Sequence, residues 1–347
     1  MGDIGGLFIY KKLLIIILTL SLISSIAIVS AIDTNSSDNQ LPENTSVNHD
    51  IYKINHPPQN HHELNDLNPG KRSVSKDFDF FGLFNFFKEE KKYGYWVWSG
   101  DMDKVDFDKL SKNGVNVVFL NSYAFKDHGY KDVMNWIKKA NDHGIEVHIW
   151  MQIFNTGDWI SPVKNGKPNE GYFNYKIEEA KYYAGLEGVS GVQMDYIRYE
   201  GNAYKDQNGT AAVTEFVKNY TEAVKKVNPS ITVSATVMPE ENATYYYGQD
   251  IPKMGEYVDV IVPMMYKGNY EADSEWVKHT TDWIVKNSGK AKVWVGLQTY
   301  QSDFNVTDLP ADDLLKDGKL AFDNGADGVI YFKWGMNEEL DNKKLNG

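Results

Sequence analysis

The sequence predicts an α/β fold, a (β/α)8 barrel of the TIM type, on three observations. Eight short runs rich in Val, Ile, Phe, Trp and Tyr recur along the chain; amphipathic helical patterns separate them; and turn residues mark the helix ends. The runs are Tyr93–Ser99, Val115–Ser122, Ile145–Phe154, Val189–Tyr196, Ile231–Met238, Val258–Tyr266, Val293–Tyr300 and Gly328–Trp334. Helical patterns lie between them at Asp106–Lys112, Lys131–His143, Tyr175–Leu186, Ala211–Val227, a short piece near Ile251–Glu256, Ser274–Asn287 and Asp308–Asp323. Asn113, His143 and Asn324 each precede a glycine and Asn228 precedes a proline, as helix C-termini require. Eight such units over roughly 250 residues match a barrel in number and size. An open doubly wound sheet is the alternative, but eight units without a glycine-rich phosphate loop fit a closed barrel better.

Ahead of the barrel, residues 1–31 read as a signal peptide or an N-terminal membrane anchor. Lys11 and Lys12 precede an apolar run from Leu13 to Val29, and the small residues Ser30 and Ala31 follow, which is the order of an export signal. The run is also near the lower length limit of a membrane span. Either reading places the body outside the cytoplasm, secreted or held at the cell surface, with the N-terminus as the point of membrane or wall association. Residues 32–77 are polar, rich in Asn, Asp, Ser, His and Pro and without periodicity, and read as a disordered linker. Residues 78–92 open with Phe78, Phe80, Phe81, Phe84, Phe86 and Phe87 and are expected to dock on the barrel or on a partner. The barrel domain is expected over 93–347.

Composition narrows the function. The chain has 347 residues, 42% of them hydrophobic, and a net charge of -12, so it can bury a large core and has no basic surface for nucleic acid. It contains no cysteine, which excludes disulfides, zinc–thiolate sites and a cysteine nucleophile. No spacing of His, Asp and Glu resembles a metal site, no cofactor is implied, and no serine nucleophile elbow is present. The sequons at Asn35, Asn44, Asn208, Asn219, Asn242 and Asn305 are compatible with glycosylation of an exported protein. The protein is expected to be a monomer.

In a barrel of this kind the C-terminal strand ends and the loops after them carry the chemistry. The first strand ends near Trp98, the second at Asn121, and the third at His148, Trp150 and Gln152, which alternation puts on one face. The fourth supplies Gln193, Asp195 and Arg198. Glu240 and Glu241 follow the fifth, and Tyr266, Gln298 and Trp334 close the sixth, seventh and eighth. Indole faces for sugar rings, amides for hydroxyls and carboxylates for bond cleavage are what a polysaccharide substrate demands. Asp195 is the principal catalytic candidate, with Glu240 or Glu241 as acid/base; sequence alone does not say which glutamate faces inward. A buried Asp195–Arg198 ion pair is the structural alternative.

Asp195-Tyr196-Ile197-Arg198-Tyr199, together with Tyr247-Gly248-Gln249-Asp250 and Tyr257-Val258-Asp259-Val260-Ile261-Val262-Pro263-Met264-Met265-Tyr266, resembles a group of glycoside-hydrolase-like TIM barrels. A more distant similarity to family 18 chitinases runs through Gly191 to Asp195, Met264 with Tyr266, and Trp334. The position of the chitinase acid, two residues beyond Asp195, is Ile197 here, so a strand-borne glutamate of that kind is absent. The closer resemblance implies an exported hydrolase of a cell-surface or environmental polysaccharide, amino-sugar polymers among the candidates. The competing class is a non-catalytic surface barrel that only binds carbohydrate. An esterase or deacetylase lacks both a nucleophile elbow and a metal-ligand cluster.

Overall fold

The computed structural model describes residues 90–336 and 340–346. The expected export segment, the expected linker and most of the Phe-rich stretch lie outside the described residues. Eight parallel strands close on themselves: β1 (Lys92–Val97), β2 (Val117–Asn121), β3 (Glu146–Gln152), β4 (Val189–Asp195), β5 (Thr232–Val237), β6 (Val260–Met265), β7 (Lys292–Gln298) and β8 (Gly328–Phe332), each beside its neighbours in sequence. Outside them run α1 (Phe107–Lys112), α2 (Tyr130–Asp142), α3 (Glu170–Ala184), α4 (Gly209–Val227), α5 (Ile251–Met254), α6 (Ser274–Asn287) and α7 (Ala311–Asp323). This is the predicted (β/α)8 barrel.

The helices form where the sequence supplies an apolar stripe and ends. In α2 the buried residues are Val133, Trp136, Ile137 and Ala140, the spacing of one helix face. Asp106, Asp250 and Asp273 accept the backbone N–H of Lys109, Lys253 and Trp276 at the starts of α1, α5 and α6. Gly114, Gly144 and Gly325 adopt left-handed φ values of 81°, 72° and 96° directly after α1, α2 and α7, where a side chain would be strained. The start of α3 lies five residues before the pattern predicts, because Gly171 and Asn174 weaken the helical signal. Phe173 anchors that turn by packing on Phe216, with ring centroids 4.9 Å apart.

Two hairpins sit in the loops without having been predicted. Val163–Lys164 pairs with Lys167–Pro168 across Asn165-Gly166, both at positive φ, the two-residue turn that such a pair forms readily. Tyr300–Ser302 pairs with Asn305–Asp308 after β7.

One device recurs at the base. Asn116, Asp259 and Asp327 each donate a backbone N–H to the carbonyl of Tyr93, Val233 and Val293, and each accepts that same residue's N–H on its side chain. The residue before β2, β6 or β8 thereby fastens the start of the preceding strand.

Strand alternation then fills the interior. Trp96, Phe119, Trp150, Val260, Val262, Trp294 and Ile330 form a separate buried cluster inside the barrel, while their sequence neighbours pack outward against the helices. The rings need space, and glycines provide it. A Cβ on Gly296 would stand 3.0 Å from the Trp96 ring, and one on Gly191 would run into the His148 ring. Replacing Gly191 by Ala is therefore expected to destabilise the fold by about 1–3 kcal/mol, lowering the melting temperature by roughly 2–10 °C. Gly171→Ala, with open space around the added carbon, should leave the melt unchanged or slightly raised; differential scanning calorimetry of the two variants makes the comparison.

Candidate active site

The C-terminal ends of β3, β4 and β5 converge on Asp195. Register sets Gln152 beside Asp195 and Trp150 beside Gln193, and alternation turns all four inward. The carboxylate is held by three donors. Trp150 Nε1 donates to Oδ2 at 2.7 Å, and Thr236 Oγ1 and the Tyr196 backbone N–H donate to Oδ1 at 2.6 and 2.8 Å. Tyr196 delivers its N–H from a φ of +50°, a strained conformation for a bulky residue that costs on the order of 1–2 kcal/mol.

Burial raises the Asp195 carboxyl above its ordinary range, and the hydrogen bonds from Thr236, Trp150 and Tyr196 pull it back toward the ionised form. The Asp195–Arg198 ion pair does not form. The Arg198 guanidinium instead stacks over the rings of Trp159, Tyr247 and Tyr196, at 4.8, 5.3 and 5.4 Å, and donates to the Tyr199 carbonyl at 2.9 Å.

The two glutamates after β5 separate cleanly. Glu241 is exposed. Glu240 is buried, and its Oε1 accepts from Tyr270 at 2.9 Å and from Tyr247 at 3.2 Å. The segment Tyr247-Gly248-Gln249-Asp250 holds this loop in place. Gly248 takes a left-handed φ of 72°. The Gln249 amide accepts from Met238 N–H and donates to the carbonyls of Ile197 and Thr236, tying the loop after β4 to the end of β5.

Other expected residues take varied positions. Trp98 is half-buried at the mouth with its ring 4.6 Å from that of Trp150. Tyr266 stacks on Phe332 at 5.4 Å. Gln298 donates to Asp303 at 3.1 Å, and Asn269 and Tyr300 bond the same carboxylate, which knits the hairpin after β7 to the loop after β6. Asn121 Oδ1 accepts from Tyr123 N–H, and its buried amide nitrogen has no partner among the described residues. Gln193 receives the Trp96 indole N–H at 2.6 Å, forming the floor beneath Asp195.

Three expectations change. His148 is completely buried inside the barrel, 3.7 Å from Glu146 at the base; its ring packs on Phe119, and burial lowers its pKa. Trp150, expected as a sugar platform, is 2% exposed and positions Asp195. Trp334 is buried in the larger core cluster, and Phe332 packs against the interior cluster as well as the larger one.

Sequence reasoning passed over Thr236, Tyr270 and Phe332, and named Tyr247 only within the segment that carries the resemblance. Thr236 and Phe332 were legible by alternation with Ser234 and Ile330. Tyr270 lies in an irregular loop and carried no signal.

Residues 98–292, more than half of the chain, match the profile of a family described as "Putative glycosyl hydrolase domain". An uncharacterized glycosylase of Bacillus subtilis (strain 168), YvbX, is 23% identical over 256 residues, covering 65% of this chain and 69% of the relative. Similar solved structures include the PgaB (BpsB) glycoside hydrolase domain from Bordetella bronchiseptica, with a TM-score of 0.53 and 11% identity, covering 73% of this chain and 96% of that one. The endo-beta-1,4-mannanase from Thermotoga petrophila has a TM-score of 0.54 and 13% identity, covering 71% and 68%. At such identities the likeness of the solved structures is one of fold.

Removing the Thr236 hydroxyl takes a donor from the ionised form of Asp195, so Thr236→Val should raise the Asp195 pKa further. NMR titration of the Asp195 carboxyl carbon in the two proteins measures it; a fall in pKa would contradict the geometry.

Proposed function

The chain belongs to the family described as "Putative glycosyl hydrolase domain" and is a glycoside hydrolase on a (β/α)8 barrel, and from that premise we propose that it is exported and cleaves a cell-surface or environmental polysaccharide with Asp195 as its principal carboxylate. One observation carries the proposal. Asp195 is a buried acid at the mouth end of β4, with no ion pair within 4.0 Å among the described residues, and it is oriented by an indole, a hydroxyl and a strained backbone amide. A buried carboxylate must be hydrogen-bonded or paired, and here three donors aimed at one acid provide that support, with Arg198 acting only at a distance.

Glycosidic cleavage needs a second carboxyl group to protonate the leaving oxygen. We assign this to Glu240, the buried member of the pair after β5, held by the phenols of Tyr247 on its own loop and Tyr270 on the loop after β6, with Gln249 tying the Glu240 loop to the segment after β4. Glu241 is excluded from that role by its exposure. Trp98, Tyr266 and Phe332 supply apolar ring faces near the mouth, and Gln152 offers its amide beside Asp195. In this arrangement Asp195 acts as nucleophile or base, with burial raising its pKa and its three donors favouring the ionised form. The export segment supports action outside the cytoplasm, and amino-sugar polymers belong in the substrate panel.

Asp195→Asn is expected to abolish release of reducing sugar from wall and exopolysaccharides, with the variant still folded by circular dichroism. Glu240→Gln should lower turnover by about 10²–10⁴-fold, the range for a lost proton-transfer group, while Glu241→Gln keeps wild-type activity. Mass spectrometry of the products reads all three. Undiminished cleavage by Asp195→Asn would sink the assignment.

A further inference from the structure

On the rim of the mouth two large rings stand outside the core. Tyr204 and Tyr245 are 50% and 56% exposed, yet their rings lie 5.0 Å apart and within 8° of parallel. They come from separate loops: Tyr204 from the 3-10 turn Ala203–Lys205 after β4, and Tyr245 from the short helix Ala243–Tyr247 after β5. Tyr246 braces both edge-on, at 4.9 Å from Tyr245 and 6.3 Å from Tyr204.

Single exposed tyrosines call for no explanation, but two rings from different loops aligned in the open do. Their mutual stacking contributes only about 0.5–1.5 kcal/mol, and it leaves about half of each residue in water. The position of the pair indicates what covers it. Tyr246 is 6.3 Å from Tyr247, whose hydroxyl donates to Glu240, so a continuous run of rings leads from the exposed pair to the buried acid. Both supporting loops also flank Asp195. The surface is an extension of the active site, and flat ring faces edged by hydroxyls suit the apolar face and polar rim of a pyranose.

We propose that Tyr204 and Tyr245 form a distal subsite that stacks on a sugar ring of the polysaccharide several units from the bond that is cleaved. The inference rests on the hydrolase reading above and adds to it that affinity depends on chain length.

The test separates the two. Affinity gel electrophoresis of the full-length Asp195→Asn protein in glucomannan, chitosan and hydroxyethylcellulose should show retardation in at least one gel. Tyr204→Ala/Tyr245→Ala in that background should weaken binding about two- to tenfold, as expected for lost ring contacts, and Tyr204→Trp/Tyr245→Trp should restore it. In the otherwise wild-type enzyme, the alanine pair should lower kcat/KM by a similar factor for a hexasaccharide of the retarding polymer and leave a nitrophenyl disaccharide of the same sugar unaffected. Unchanged retardation by the alanine pair, no retardation in any gel, or equal losses on both substrates would overturn the subsite. Protein that is retarded through these tyrosines but cleaves nothing would uphold the subsite and remove the hydrolytic reading.

Discussion

Space inside an eight-stranded barrel is fixed once the strands close, and the rest of this molecule follows from how that space is filled. Trp96, Phe119, His148 and Trp294 occupy the lower interior, the first and third over glycines of facing or neighbouring strands. The Trp96 indole spans from β7 to Gln193 on β4 and makes a solid floor. Polar side chains one step higher cannot sink into the barrel. They are presented at the mouth, where Gln152, Asp195 and Thr236 stand side by side.

The second constraint is the cost of an ionised group in that setting. A buried carboxylate requires donors or it takes up a proton. Trp150 and Thr236 reach Asp195 from the adjacent strands, and Tyr196 adds its amide by accepting an unfavourable backbone conformation. The same economy of support extends outward: Gln249 links two loops through three backbone groups, and Tyr247 joins that link to Glu240. The carboxyl groups after β4 and β5 therefore sit on one braced unit.

Much of this architecture was legible in the sequence, because strand alternation and helix-end chemistry are local signals. All eight strands and the seven helical segments are present at the predicted places, with the start of α3 displaced by five residues, and Asp195 was recognisable as an acid at a strand end where packing does not want one. What escaped depends on contacts between distant segments. Nothing in the residues around Trp150 distinguishes a sugar platform from a donor to Asp195, since the answer lies on β4. The Glu240–Glu241 choice depends on Tyr270, thirty residues away in an irregular loop. His148 shares alternation with Trp150 and Gln152, and depth along the strand, which alternation does not report, put it at the opposite end of the interior. Asn165-Gly166 was a readable hairpin signal overshadowed by the barrel pattern.

The three donors to Asp195 are distributed unequally. Oδ1 accepts from both Thr236 and Tyr196, which uses its two lone pairs, while Oδ2 accepts only from Trp150 among the described residues. Oδ2 thus keeps a lone pair without a donor among the described residues. On the proposed role of Asp195, an electrophile or proton would approach through Oδ2, so the donors gathered on Oδ1 would decide which oxygen reacts and which face a substrate presents.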